Sequence, residues 1–171
     1  ELILQQQNIN NLFSVEGKNI VLTGASGLLG SYYARTLLEA GANMALIDHN
    51  TRVSQAIKEE FTNARQTVQV YKCDLSKPNQ INSTIKKIMK DFPTIDVLIN
   101  NAAFVSAKTF AIKDFKNFET HPFDLWKKAF EVNIDAPFIL SQKVLGIMKK
   151  QKSGSIINIS SNYGIVGPDF D

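Results

Sequence analysis

The sequence predicts an α/β fold in which a doubly wound parallel sheet lies between two layers of helices. Short apolar runs of strand length alternate with stretches of helical apolar spacing from residue 19 to residue 160. A glycine-containing turn, Thr23 to Gly30, joins the first predicted strand to the first predicted helix. Alternation of this kind implies parallel strands that are joined by right-handed helical crossovers.

The apolar spacing assigns the elements in turn. The first strand is predicted at 19–23, and the first helix, at about 28–40, is predicted to pack through Leu29, Tyr33, Leu37 and Ala40. The third strand alternates apolar and polar residues as an edge strand does, whereas the fourth is nearly all apolar and therefore central. The later strands are predicted at 44–48, 67–71, 95–99 and 155–160, and the later helices at 51–64, 78–92 and 124–150.

The composition indicates one globular domain and argues against several classes of function. The chain has 171 residues, 44% hydrophobic and 20% charged, and its net charge of +3 comes from scattered lysines. We therefore expect no nucleic-acid partner, no membrane span of roughly 20 apolar residues and no metal site. The single cysteine, Cys73, suits a buried thiol in a reducing cytoplasm. Residues 1–12 are expected to form a leading tail, and residues 13–171 a single domain.

The turn from Thr23 to Gly30 predicts a site for the pyrophosphate of a dinucleotide, the phosphate-binding corner of a Rossmann-type fold. Gly24 can adopt the positive φ of a tight turn. Gly27 has no side chain to keep a phosphate from the backbone, and Gly30 lets the helix approach the strand. The phosphates would meet unpaired N–H groups at the positive end of the helix dipole. Further cofactor contacts are predicted at Ser26, Leu28 and Leu29. A glycine turn without a ligand is the alternative.

Asp48, at the end of the second strand, bears on the choice between NAD and NADP. It lies 24 residues after Gly24, close to where such folds place a carboxylate on the ribose hydroxyls of adenosine. A carboxylate accepts hydrogen bonds from a ribose diol and repels a 2′-phosphate, so Asp48 favours NAD over NADP. His49 is a basic neighbour that can tolerate the extra phosphate. The alternative role for Asp48 is that of an acid at a helix N-terminus.

Five short motifs follow one another along the chain. They are Thr23 to Gly30, Cys73-Asp74-Leu75-Ser76, Asn100-Asn101-Ala102-Ala103, Val132-Asn133 and the stretch from Ser155 to Ser161. In this order and spacing they resemble the motifs of the short-chain dehydrogenases/reductases, over about residues 13–167. The resemblance implies an NAD(P)-dependent oxidoreductase that transfers hydride between nicotinamide and an alcohol or carbonyl of a small molecule. It also implies a homo-oligomer, either a dimer or a tetramer.

The same resemblance implies a part of the cofactor site for two further segments. The adenine ring would be held by Asp74 and Leu75. The nicotinamide ribose would be lined by Asn101, Ala102 and Ala103, a segment that would also support the sheet.

Asn133 and Ser161 would be, by this resemblance, two members of a catalytic Asn-Ser-Tyr-Lys tetrad, with Ser160 as the competing serine. In such a tetrad a tyrosine passes a proton to the substrate oxygen, and the serine hydroxyl polarises that oxygen. The Asn133 carbonyl would hold a water that links the lysine to solvent. Pro137 supports this role because it has no N–H, which leaves that carbonyl without its i+4 partner and predicts a kink. Alternatively, Pro137 only bends the long helix.

Two features depart from the family pattern. The Gly-x-x-Gly-x-x-Gly spacing is typical of the longer branch, which modifies sugar nucleotides, whereas the Asn100–Ala103 segment and the paired serines favour the compact branch, which we prefer. The Tyr-x-x-x-Lys pair is absent: Tyr163, which is expected to line the pocket, is followed four residues later by Gly167. We therefore expect the chain to be an N-terminal portion, with the C-terminal part of the fold and the catalytic Tyr and Lys beyond Asp171.

A weaker resemblance concerns the substrate. The segment from Tyr163 to Phe170 and the aromatic loop before Trp126 are similar to a bacterial oxidoreductase subgroup associated with flagellin and surface-sugar modification. This implies a sugar or sugar-nucleotide substrate. Two alternatives stay open: an epimerase or dehydratase of sugar nucleotides with tightly bound NAD, and a nucleotide-binding relative without catalytic activity.

Overall fold

The computed structural model describes residues 13–105 and 118–161, and within them strands and helices alternate in the predicted order. The strands are β1 (Asn19–Thr23), β2 (Asn43–Asp48), β3 (Val68–Lys72), β4 (Val97–Asn100) and β5 (Ser155–Asn158). The helices are α1 (Leu28–Glu39), α2 (Arg52–Glu60), α3 (Pro78–Asp91), α4 (Phe123–Phe130) and α5 (Ala136–Gln151). A 3₁₀ turn lies at Phe118–Thr120, and a π-helical segment, Glu131–Asp135, joins α4 to α5.

All five strands are parallel and lie in the order β3-β2-β1-β4-β5. This order confirms the doubly wound sheet of the Rossmann type. It also confirms β3 as an edge strand and places β4 in the interior, between β1 and β5. The chain reverses its direction of winding between β1 and β4, and ligands of such sheets bind in the crevice at that point, beyond the carboxyl ends of the strands.

Side chains of the sheet alternate between two apolar cores, one on each face. Ile20 and Leu22 of β1 belong to the core that α1 and α2 complete, whereas Val21 belongs to the core of α3 and α5. Each fully buried aliphatic side chain contributes about 1.5–3 kcal/mol to folding. The two cores place the sheet between two helical layers, as predicted.

The buried face of α1 differs from the prediction. Gly30, Ala34 and Leu38 are buried, whereas Leu29 is 53% exposed and Ala40 is exposed. Small residues face the sheet because the glycine turn brings the start of this helix against its own backbone. Tyr33 and Leu37 are partly buried and pack against the core that α1 and α2 complete, as predicted, whereas the prediction is wrong for Leu29 and Ala40.

Several predicted boundaries also shift, because apolar spacing marks burial and not the limits of hydrogen bonding. Helix α2 ends at Glu60 and not at 64, since residues 62–65 are exposed and offer no side chain to the core. Strand β4 begins only at Val97, and β5 ends at Asn158. None of the helices in the described ranges is both long enough and apolar enough to cross a membrane.

Candidate functional site

The glycine turn is packed tightly at the carboxyl edge of the sheet. Gly24 has φ +67°, as predicted for a tight turn, and a Cβ there would lie 2.8 Å from the Cα of Ala102. The Gly27 amide donates to the Gly24 carbonyl at 3.0 Å. A Cβ on Gly30 would collide with that same carbonyl oxygen. Any side chain at Gly24 or Gly30 therefore displaces the turn.

The first turn of α1 is open toward solvent. Gly27 precedes this helix and provides no side-chain cap, so the amides of Leu28, Leu29 and Gly30 have no partner within the helix. Gly27 is itself exposed, and the Leu28 side chain is 73% exposed. Unpaired amides at the positive end of a helix dipole favour an anion such as a pyrophosphate.

Asn101 joins the turn to the end of β4. Its side-chain amide donates to the carbonyl of Thr23 at 3.0 Å and to that of Gly24 at 3.3 Å. The Thr23 hydroxyl oxygen accepts the amides of Asn101 at 3.0 Å and Ala102 at 3.1 Å. The segment thus supports the sheet, while its contact with a nicotinamide ribose, through Ala103 included, stays a prediction. No role was predicted for Thr23, although a hydroxyl directly before a glycine turn is a usable signal.

Asp48 is buried at the end of β2, and its carboxylate meets the glycine turn. Oδ2 accepts the Ser26 amide at 2.9 Å, and Oδ1 accepts the Asn50 amide at 3.0 Å. His49 Nδ1 lies 3.0 Å from the same Oδ1, with 82% of its side chain exposed against 7% for Asp48. A carboxylate can accept about four hydrogen bonds. Capacity therefore remains for a ribose hydroxyl, although the turn and its neighbours use most of it.

A pair of serine hydroxyls links the turn to α2. Ser26 Oγ and Ser54 Oγ lie 2.7 Å apart, and the Ser54 amide donates to Ser26 Oγ at 3.2 Å. Ser54 is completely buried. Sequence reasoning missed Ser54, because a serine within an amphipathic helix is ordinary and no local pattern marks it.

Asp74 is fixed in the loop after β3. The amide and the hydroxyl of Ser76 both donate to its Oδ1, at 3.0 Å and 2.8 Å. Burial raises the pKa of Asp74, but the hydrogen bonds from Ser76 and the charges of Lys77 and Lys128 outweigh burial and hold this pKa below its ordinary value. Asp74 is therefore ionised at neutral pH. Leu75 is buried in the core, and contacts of Asp74 and Leu75 with adenine stay predictions.

Asn133 lies in the π-helical segment and binds the backbone of Phe104. The Phe104 amide donates to Asn133 Oδ1 at 2.7 Å, and Asn133 Nδ2 donates to the Phe104 carbonyl at 3.1 Å. The Ala136 amide donates to the carbonyl of Glu131, five residues earlier. Pro137 has no N–H, so the Asn133 carbonyl receives no bond from residue 137. A π-helical segment therefore interrupts the helix at Asn133, while the kink at Pro137 and the relay water stay predictions.

Ser161 follows β5 and is exposed. The Ser160 hydroxyl donates to the Ser161 carbonyl at 3.5 Å, a contact that does not favour either serine as the catalytic one. Tyr163 and the remaining residues of 162–171 lie outside the described residues, as do residues 106–117 of the aromatic connection.

The strand ends bring most of the predicted residues to one edge of the sheet. The Cys73 amide donates to the carbonyl of Asp48 at 2.9 Å, and the Ile159 amide to that of Asn100 at 2.9 Å. The glycine turn, Asp48, Asp74 and the Asn101 segment therefore lie at the same carboxyl edge of the sheet. Unpaired amides flanked by carboxylates and amide side chains suit a pyrophosphate that carries two nucleosides. Within residues 13–105 and 118–161, no group of His, Cys, Asp and Glu could hold a metal ion.

Comparison with known proteins gives one family. Residues 18–170 match the family described as short chain dehydrogenase. The sorbose reductase SOU1 of Candida albicans is 34% identical over 161 residues, which cover 93% of this chain and 54% of that protein. The 2-dehydro-3-deoxy-D-gluconate 5-dehydrogenase of Pseudoalteromonas atlantica is 32% identical over 150 residues, 87% of this chain and 56% of that protein. The chain thus spans about half the length of these curated relatives.

Solved structures resemble the chain over most of its length. A xylitol dehydrogenase with bound NAD+ superposes with a TM-score of 0.78 and 27% identity, over 90% of this chain and 56% of that one. A metagenomic short-chain oxidoreductase in complex with NADP gives a TM-score of 0.77 and 30% identity, over 86% of this chain and 64% of that one.

Proposed function

The chain belongs to the short chain dehydrogenase family, and we propose that it forms the dinucleotide-binding region of an NAD-dependent oxidoreductase. The packing of the glycine turn is the observation that carries this proposal. Gly24 and Gly30 leave no room for a Cβ, and Gly27 leaves the first turn of α1 uncapped. A turn that served only to reverse the chain would need neither the close packing nor the open helix end.

The crevice provides groups for each part of the cofactor. The amides of Leu28, Leu29 and Gly30 would hold the pyrophosphate, and Asp74 with the backbone of Leu75 would hold the adenine. Asn101, Ala102 and Ala103 would line the nicotinamide ribose.

Asp48 favours NAD over NADP, because a 2′-phosphate would bring a second anion close to a poorly hydrated carboxylate. The exposed imidazole of His49 is the group that would offset this repulsion. NADP is therefore the second choice.

The bound nicotinamide would supply hydride chemistry between itself and an alcohol or carbonyl carbon. From this chain, the Ser161 hydroxyl would donate a hydrogen bond to the substrate oxygen and polarise it. Asn133 holds the loop after β4 through its side chain, and its backbone carbonyl would bind the relay water. The Tyr-x-x-x-Lys pair does not occur among the 171 residues. We propose that the full-length protein supplies it beyond residue 171.

We propose a small sugar, sugar acid or polyol as the substrate. The two relatives are named for sorbose and for a dehydro-deoxy-gluconate, and the NAD+-bound neighbour is named for xylitol. These are short polyhydroxylated carbon chains. The similarity of the loops at 163–170 and before Trp126 to surface-sugar enzymes favours the same chemistry, a sugar nucleotide included. The cytoplasm is the proposed location, since nicotinamide cofactors and a reduced Cys73 both belong there.

The protein is also proposed to self-associate, as a dimer or tetramer, through α4, the π-helical segment and α5. These elements carry a row of exposed apolar side chains at helical spacing, a kind of surface that commonly marks an interface: Phe123, Trp126, Phe130, Ile134 and Phe138. Sedimentation velocity measures this directly, and a monomer at all concentrations would contradict it.

The reaction class is tested on the full-length gene product with NAD and a panel of polyols and sugar acids. NADH should accumulate with one of them, and Ser161→Ala should lower kcat roughly a hundredfold to a thousandfold. Ser160→Ala is the matched control and should leave kcat nearly unchanged. Conversion of a sugar nucleotide without accumulation of NADH would favour the epimerase or dehydratase, which the glycine spacing suggests. Binding of NAD without any turnover would favour a catalytically inactive relative.

A further inference from the structure

A buried hydroxyl on α2 holds the glycine turn in place. We propose that Ser54 is a positioning residue for the dinucleotide site: it fixes Ser26, and through Ser26 the direction of the amides at the start of α1. This inference rests on the proposed function, because it concerns the affinity of the same turn for the same class of ligand.

Ser54 contacts Ser26 twice. Its amide donates to Ser26 Oγ at 3.2 Å, and the two hydroxyl oxygens lie 2.7 Å apart, a distance at which one hydroxyl donates to the other. Ser54 has no exposed surface, whereas Ser26 is half-buried, so water is kept from the Ser54 side of these bonds. Hydrogen bonds in such surroundings are stronger electrostatically than those at the surface.

Ser26 links Ser54 to the start of α1. Its amide is held by Asp48 Oδ2 at 2.9 Å, while its hydroxyl is held by Ser54. The preceding residue, Ala25, donates its amide to the carbonyl of Ile47 at 3.2 Å. The following residue, Gly27, is the N-cap of α1. Strand β2 and helix α2 therefore fix the turn at successive residues, directly before the amides that would meet the pyrophosphate.

A serine at position 54 is unfavourable unless its hydroxyl is used. Ser54 lies in the first turn of α2 and is buried, as Ile57 is, and alanine would occupy this position without burying a polar atom. Alanine would thus avoid the cost of burying a polar group. The contact with Ser26 offsets that cost, so the hydroxyl is best explained by the turn it supports.

The role of Ser54 can be separated from that of Asp48. Ser54 is uncharged and lies behind the turn, so its loss should weaken the binding of every dinucleotide by the same factor. Asp48 carries a charge, so its loss should change the preference between NAD and NADP.

Titration calorimetry with ADP-ribose, NAD and NADP tests this on the whole chain. Ser54→Ala should weaken all three by about threefold to tenfold, the effect of losing one hydrogen bond. Thr84→Val is the matched control, because Thr84 is another buried hydroxyl, on α3, whose partner is the Cys73 thiol. Thr84→Val should lower the thermal stability of the chain without altering its affinity for any of the three ligands. If Ser54→Ala fails to fold, Ser54→Cys replaces it, since a thiol keeps the volume and donates only weakly.

Hydrogen exchange of the free chain provides a second readout that needs no ligand. Ser54→Ala should speed exchange at the Ser26 and Gly27 amides, and Thr84→Val should not. Unchanged exchange at these amides, or unchanged affinity for ligands that the parent chain binds, would overturn the inference. If the parent chain bound none of the three ligands while Ser54→Ala still sped exchange, the proposed function would fail and the support of the turn by Ser54 would stand.

Discussion

At Gly30 the first helix passes so close to the glycine turn that one added methyl group would displace it. A glycine within a helix costs about 1 kcal/mol relative to alanine, so the position needs a compensating reason. Contact with the Gly24 carbonyl is that reason. Gly146, within α5, has open space where its Cβ would lie. Packing therefore requires glycine at position 30 but not at position 146. Substitution of Gly146 is the control for substitution of Gly30.

Asp48 is the residue on which the preference for NAD depends. Asp48→Asn removes its charge and keeps a side chain of similar size. We expect the ratio of the Kd for NADP to the Kd for NAD to fall by about tenfold, equivalent to about 1.4 kcal/mol of lost repulsion. The affinity for NAD should also fall, because the Ser26 amide then meets a weaker acceptor.

Titration calorimetry with NAD and with NADP measures both effects. Asn50→Ala is the control, since it keeps the Asn50 amide that Asp48 accepts and changes no charge. A ratio that is the same in the parent chain and in Asp48→Asn would remove Asp48 from the choice of cofactor.

Two side-chain amides, one in the π-helical segment and one at the end of α5, form hydrogen bonds with the backbone before and after β4. Asn133 exchanges two hydrogen bonds with Phe104, beyond the carboxyl end of this strand. Gln151 does the same with Ile95 before its amino end, at 3.1 Å and 3.0 Å. Both contacts are made to backbone, so the identities of Phe104 and Ile95 matter little to them. They fix the helix along the strand and, at the Asn133 end, hold the loop that follows the Asn101 segment.

Loss of the hydrogen bonds made by Asn133 or by Gln151 should lower the stability of the whole fold and also loosen the backbone locally. Asn133→Ala and Gln151→Ala should each lower the free energy of unfolding by about 1–2 kcal/mol, because each removes two modest hydrogen bonds. Only Asn133→Ala should speed hydrogen exchange at the Phe104 amide, and only Gln151→Ala should do so at the Ile95 amide. Faster hydrogen exchange at both the Phe104 and the Ile95 amides in either variant would show that the contacts of Asn133 and Gln151 are not independent.

The arrangement of the whole sheet could be predicted from local patterns. Ile20, Val21 and Leu22 form a run in which every residue is buried, and a glycine turn after such a run predicts the Rossmann connection. The alternation of Val68 with Gln69 identified β3 as an edge, which the strand order confirms. Apolar runs and turn residues are local signals that extend over only a few positions, so they can be read from a single sequence.

Contacts between distant positions could not be predicted in this way. Ser26 and Ser54 are 28 residues apart, and Phe104 and Asn133 are 29 apart. No propensity links such pairs, because the fold alone brings them together. Leu29 and Ala40 were assigned to the wrong face of α1 for a related reason: helical spacing allows several neighbouring stripes, and the close approach at Gly30 selects one of them.

Binding of a dinucleotide at the glycine turn can be measured by titrating the chain with NAD and following its backbone amide resonances. We predict saturable shifts that are largest at Gly27, Leu28 and Gly30. Gly30→Ala should abolish them, while Gly146→Ala, the matched helical glycine, should leave the affinity unchanged. Saturable shifts elsewhere with the turn unaffected, or equal affinity in Gly30→Ala, would show that the dinucleotide does not bind at the turn.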